Sequence, residues 1–252
     1  MSTRGQIIAL GFMLLAVAGW SQPGAASPAA VEFSADTVQT DPQKNQRVGR
    51  IYVGKSRVRS EMQQNGQPVV NIIDTENQIT WVLYPREQSY IEYRMEVPPP
   101  LGEKGSPCEG LPGAQCKKLG DEELQGRAAT KWQVSVPSQE GTVRSTQWIG
   151  KQRSILLRQE IVGGPVMEQR MLDLEQLHGR SVEKWEMVVT RDGQVIQRST
   201  RWFDPQLNLA IREESQGGYI RELHNITIAP QNPDLFLIPE QFKKIVPQQR
   251  QN

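Results

Sequence analysis

The chain has 252 residues, with 29 Lys and Arg against 28 Asp and Glu, two His and two Cys. Without residues 1–26, which hold one Arg and no acid, 28 basic side chains face 28 acidic ones. A neutral chain with interspersed signs excludes the basic footprint of a nucleic-acid or anionic-membrane binder, and the remaining length suits one large β domain or two small ones.

Arg4 precedes an uncharged run over 7–20, and small residues follow through Ala26. A basic start, a short apolar core and small residues at the exit define a secretory signal peptide, expected at 1–26 with Gly24 and Ala26 at the cleavage positions. The run is shorter than the roughly 20 residues that span a bilayer. The rest of the chain is therefore expected to be exported, soluble and not membrane-spanning.

Alternating polar and apolar residues, broken at Gly, Asp, Asn and Pro, predict a first block at 31–96 with strands over 31–34, 49–53, 57–62, 69–74, 78–84 and 89–95. Asn65-Gly66 has the chemistry of a hairpin turn. A Pro/Gly loop at 97–118 follows, too long for a simple connection, either a linker or a flap. It carries Cys108 and Cys116, which in an oxidising compartment read as a local disulfide. Neither His178 nor His224 stands near enough in sequence to complete a metal site with them.

The second half repeats itself. Leu124-Gln-Gly-Arg127 through Lys131-Trp132 returns 53 residues later as Leu177-His-Gly-Arg180 through Lys184-Trp185. After a one-residue slip, Arg144-Ser-Thr-Gln-Trp148 matches Arg198-Ser-Thr-Arg-Trp202, and Arg158, Gly163, Gly164 and Glu168 match Arg212, Gly217, Gly218 and Glu222. A slip confined to a turn is what two copies of one β-meander would show. The copies occupy 119–174 and 175–245, the second including a closing segment, with strands over 130–136, 142–149, 155–161 and 166–172, then 183–190, 195–203, 209–214 and 219–228. Helical turns are expected at 121–124 and 172–177, and a polar tail at 246–252. The predicted fold is all-β with minor α: a single domain over 27–245, built on a curved antiparallel sheet of repeated meanders.

Such a sheet without covering helices must bury its concave face against something. The apolar faces of its strands present Trp81, Leu83, Trp132, Trp148, Leu157, Trp185, Met187, Trp202 and Ile211. These residues suit ordinary core, or the wall of a cavity for a lipid or acyl chain, where large rings supply area and a polar tip. Arg144 and Arg198 recur beside two of the Trp residues, as headgroup contacts or as exposed cross-strand pairs with Glu160 or Glu214. No nucleophile elbow, zinc-binding helix motif or phosphate loop is present, and no acid pair sits in an apolar setting. No catalytic residue, cofactor or metal is expected. Two functions remain: a binding protein for a lipid or other hydrophobic ligand, or a non-enzymatic interaction module that docks a partner.

The stretch from Gly49 through Arg59 to Glu61-Met62, then Ile73-Asp74, Trp81 to Pro85 and Tyr90, resembles an exported bacterial domain of the LolA/LolB lipoprotein-carrier superfamily. Residues 126–132, 202–205 with Leu209 and Arg212, and 236–242 are similar to later portions of such sequences. The resemblance implies an incomplete, strongly curved antiparallel barrel whose concave face holds acyl chains, and with it a periplasmic carrier of a lipid or lipoprotein or, as the alternative, an envelope sensor or assembly factor docking another envelope protein. The chain departs from the carriers in showing no helices to lid that face, and in carrying the Cys108–Cys116 loop.

Overall fold

The computed structural model describes residues 31–94, 106–108, 111, 113–138 and 141–246. The expected signal peptide, most of the 97–118 loop and the end of the polar tail lie outside them. The described residues form sixteen strands: β1 (Phe33–Thr40), β2 (Gln46–Val53), β3 (Arg57–Gln64), β4 (Gln67–Asp74), β5 (Ile79–Tyr84), β6 (Ser89–Arg94), β7 (Gln115–Leu124) and β8 (Arg127–Ser138), then β9 (Gly141–Gly150), β10 (Leu156–Ile161), β11 (Val166–Leu177), β12 (Arg180–Arg191), β13 (Gln194–Asp204), β14 (Leu209–Ser215), β15 (Tyr219–Ile228) and β16 (Lys243–Lys244). They form one sheet in the order β16-β6-β5-β4-β3-β2-β1-β15-β14-β13-β12-β11-β10-β9-β8-β7. Every junction is antiparallel except β16 on β6. The sheet is curved and its ends, β16 and β7, do not meet, so the barrel stays open. Among the described residues the helical structure is one 3-10 turn, Pro233–Phe236, capped by the Asn232 side chain, and no helix is long and apolar enough to cross a membrane.

Four of the hairpins close on two residues that both have positive φ: Asn65-Gly66, Gln125-Gly126, His178-Gly179 and Asp192-Gly193. That geometry matches the twist of the flanking strands and needs Gly at its second position. The helical turns expected at 121–124 and 172–177 are instead the ends of β7 and β11. Each strand carries an extra residue there, Leu119 between the Lys118–Trp132 and Gly120–Lys131 pairs and Leu172 between the Met171–Trp185 and Asp173–Lys184 pairs. A bulge breaks the two-residue period, and the broken period of Leu172, Leu174 and Leu177 imitates a helical stripe. β7 also begins inside the segment read as loop. Cys116 lies on it and is bonded to Cys108, with Cα atoms 5.8 Å apart.

The apolar residues form three cores stacked through the sheet. Val70, Ile72 and Leu83 are covered by Phe236 of the 3-10 turn, with Tyr52, Trp81, Tyr90, Leu235 and Phe242 around them. The middle core gathers Phe33, Ala35, Ile51 and Val53 with Val182, Trp202, Leu209, Ile211 and Leu223. Those residues come from six neighbouring strands, which a flat sheet would spread over about 24 Å. Only a strongly coiled sheet brings them together. The third core holds Ala129, Trp148, Leu157, Trp185 and Phe203. Tyr52 faces the first core while Ile51 and Val53 face the middle one, and Trp202 faces the middle core while Phe203 faces the third. The 51–53 stretch of β2 and the 202–203 stretch of β13 thus have core on both sides.

Candidate functional site

Trp148 and Trp202 each stand in a cage of charges. The Trp148 indole N–H donates to Glu122, with Lys131 4.7 Å and Arg158 5.4 Å from its ring centroid. The Trp202 indole N–H donates to Glu175 at 2.7 Å, with Lys184 at 5.1 Å and Arg212 at 5.3 Å. Arg158 holds Glu160 and Glu168, and Arg212 holds Glu214 and Glu222. Both Trp side chains are buried, and the cations on the neighbouring strands are positioned for cation–π attraction. The Lys184 ammonium and the Trp202 N–H hold the Glu175 carboxyl below its ordinary range.

The nine expected wall residues are shared out among the cores. Trp81 and Leu83 belong to the first, where the Trp81 N–H reaches Glu92 at 3.1 Å. Trp202 and Ile211 belong to the middle core, and Trp148, Leu157 and Trp185 to the third. Met187 is half-buried on β12, and Trp132 on β8 has a buried indole N–H with no partner among the described residues. Arg144 is exposed, and Arg198 pairs across the strand with Glu186, not Glu214.

Two of the nine, Leu157 and Trp185, line a cleft of about 560 Å³. The β7–β8 hairpin end (125–128) forms one wall, the 150–155 turn a second and 171–174 of β11 the third. Two backbone bonds close the frame, Gly150 N–H to Ile155 O at 2.7 Å and Lys151 N–H to Ala128 O at 2.9 Å. The floor is Ile155, Leu157, Met171 and Trp185, and the lip carries Leu172 and Leu174, 44% and 68% exposed. Trp185 is pinned by its N–H to Glu183 at 2.9 Å.

Three cations reach this cleft and two are spoken for. Lys151 pairs with Asp121 at 2.9 Å and Arg153 with Glu183. The Asp121 carboxyl is drawn far below its usual range by Lys151, Lys118 and Thr130. Arg127 pairs with no carboxylate among the described residues. Its guanidinium lies 4.9 Å from the Trp185 ring centroid and against the Met171 sulfur, whereas its sequence counterpart Arg180 is held by Asp204 and Gln206. Sequence reasoning missed the lip leucines and Arg127, although the repeated Leu-x-Gly-Arg motif marked the hairpin end that carries it.

No family model matches the chain, and no curated protein matches it. Solved structures do. A LolA superfamily protein from Nitrosomonas europaea is 9% identical over 82% of this chain and 90% of its own, with a TM-score of 0.36. A putative outer membrane lipoprotein-sorting protein domain from Vibrio parahaemolyticus is 11% identical over 82% and 90%, with a TM-score of 0.35. A DUF1329 family protein from Desulfovibrio piger is 14% identical over 83% and 90%, with a TM-score of 0.35.

Proposed function

We propose that this protein is a non-enzymatic binding or carrier protein of the periplasm that holds one anionic amphiphile in the cleft beneath the β7–β8 hairpin. The observation that supports this most directly is the meeting of an apolar floor and lip with a cation, Arg127, that no carboxylate neutralises among the described residues. An acyl chain covers Leu157, Met171, Leu172, Leu174 and Trp185, and its anionic head meets Arg127. A volume of about 560 Å³ suits a single small ligand. The expected signal peptide at 1–26 and the Cys108–Cys116 bond fit the oxidising compartment. The test is native mass spectrometry of protein purified from its own envelope, followed by organic extraction. The expected result is one bound mass that extracts as an amphiphile.

A second reading, the protein-interaction module, draws on β7. This ten-residue strand is paired on one side only among the described residues, and most of its side chains are exposed. Such an edge accepts an extended segment of another chain. Recovery of the bare protein mass, with a stoichiometric partner crosslinked to Lys117 or Lys118, would favour it over the cleft.

A further inference from the structure

The chain contains two histidines, and the fold brings both to one carboxylate. His178 occupies the first position of the turn between β11 and β12, at φ 51°. This turn lays the imidazole against β15, where Glu222 and His224 stand two residues apart on one face. His178 Nε2 lies 2.9 Å from Glu222 Oε1, and His224 Nε2 lies 3.3 Å from Glu222 Oε2. The ring centroids are 4.6 Å apart, and one donor atom from each of the three residues lies within 4.8 Å of the others. Metal–nitrogen and metal–oxygen bonds near 2.1 Å place tetrahedral donor atoms about 3.4 Å apart. Each imidazole nitrogen already lies at or inside that spacing from one of the two Glu222 oxygens, and both imidazoles are solvent-accessible enough to turn.

The other copy of the repeat shows that the imidazoles are not needed to hold the carboxylate. Glu168 aligns with Glu222, and Arg158 holds Glu168 as Arg212 holds Glu222 at 3.0 Å. At the positions of the two histidines, that copy has Gln125 and Arg170. The Arg–Glu pair is therefore common framework, and the His pair is an addition peculiar to the second unit.

We propose that His178, Glu222 and His224 form a binding site for a divalent transition-metal ion of the zinc class, pinning the β11–β12 hairpin end to β15. Two imidazole nitrogens and one carboxylate oxygen select Zn²⁺, Ni²⁺ or Cu²⁺ over Mg²⁺ and Ca²⁺, which prefer all-oxygen sites. Arg212 keeps its place on Oε1, and water completes the coordination.

The experiment uses untagged full-length protein stripped with EDTA and titrated with ZnCl₂ against a chromophoric chelator. One equivalent is expected. Loss of a second-shell group typically weakens a metal site about 10- to 100-fold, so His178→Ala and His224→Ala, which remove ligands, should each weaken binding at least about 100-fold. Zinc at a hundredfold excess over Kd should raise the wild-type Tm by roughly 5 to 10 °C and leave the double variant unmoved. NMR of the wild type needs no variant: its two histidines should give two imidazole Hε1 signals, and both should shift at one equivalent. Binding well below one equivalent, an unchanged Kd in both single variants, or imidazole signals that ignore zinc would each overturn the proposal.

Discussion

The double substitution Leu172→Ser with Leu174→Ser tests the cleft at its lip. Both side chains line the cleft, yet they remain 44% and 68% exposed. Little packing is lost when they are truncated, and the folded protein should keep its Tm to within a degree or two, as exposed sites usually do. Full burial of a leucine is worth about 1.5 to 3 kcal/mol, and a ligand can claim only the part still open to water. Taking about half of that for the first residue and two-thirds for the second gives roughly 2 to 3 kcal/mol together. That corresponds to a loss of about 30- to 150-fold in affinity. The assay is a titration with palmitate or a lysophospholipid, read by the fluorescence of Trp185 on the floor and by calorimetry. Equal affinity in the wild type and the double variant, with the fold intact, would refute the placement of the acyl chain.

Phe236→Ala should be among the most damaging single truncations, because Phe236 is 6% exposed and covers Val70, Ile72 and Leu83. A loss of about 3 to 5 kcal/mol is expected in urea unfolding, and a loss below 1 would mean that the closing segment is not part of the first core. Gly49→Ala should also destabilise strongly, by about 3 kcal/mol or more, since a Cβ there would lie 2.3 Å from the Glu61 carbonyl oxygen and 2.9 Å from Thr37 Oγ1. Gly66→Ala meets no atom within 4 Å and suffers only from its φ of +74°, so the milder variant of the two is predicted by contact alone. For pH, burial raises the carboxyls of Asp74, Glu186 and Glu222, but their hydrogen bonds and cations outweigh it and leave all three below the ordinary range. A depressed folded-state value contributes stability above the unfolded value and loses it as pH falls. Tm should therefore hold between pH 7 and about pH 5 and drop below about pH 4, and a Tm that rises on acidification from pH 5 to pH 3 would contradict the pairing. Reducing the Cys108–Cys116 bond, which closes a sequence separation of 8, should cost about 2.5 kcal/mol on the chain-entropy view, measured by unfolding with and without reductant.

What was legible in the sequence follows from which patterns a sheet imposes locally. Trp148 and Trp202 stood out because each repeats within the same short motif, and an alternating strand makes its buried face visible. Their partners did not stand out. Glu160 and Glu214 looked available to Arg144 and Arg198, but they belong to Arg158 and Arg212, two residues away on their own strands. Alternation says which face a side chain takes and leaves open which neighbour lies beside it, and register is decided across strands. The bulges at Leu119 and Leu172 then shift that register midway along β7 and β11, which hid the cleft lip inside an apparent helical stripe.

The layered cores were harder to foresee, because the expectation of one buried face and one wet face fails where the sheet coils onto itself. A signal was present: Trp202 and Phe203 are consecutive, and two large apolar neighbours on a strand point to opposite sides, so both sides must be dry. Applied to β13, that rule makes the strand a partition between cores. β12 pairs with β13 from Glu183 to Arg191, and the β11–β12 hairpin end runs on beyond the last pair, Glu183–Phe203. The hairpin end at His178 then arrives over β15, beside Glu222 and His224. The convergence of the two histidines is thus a consequence of coiling, and it could be read only once both faces of β13 were known to be covered.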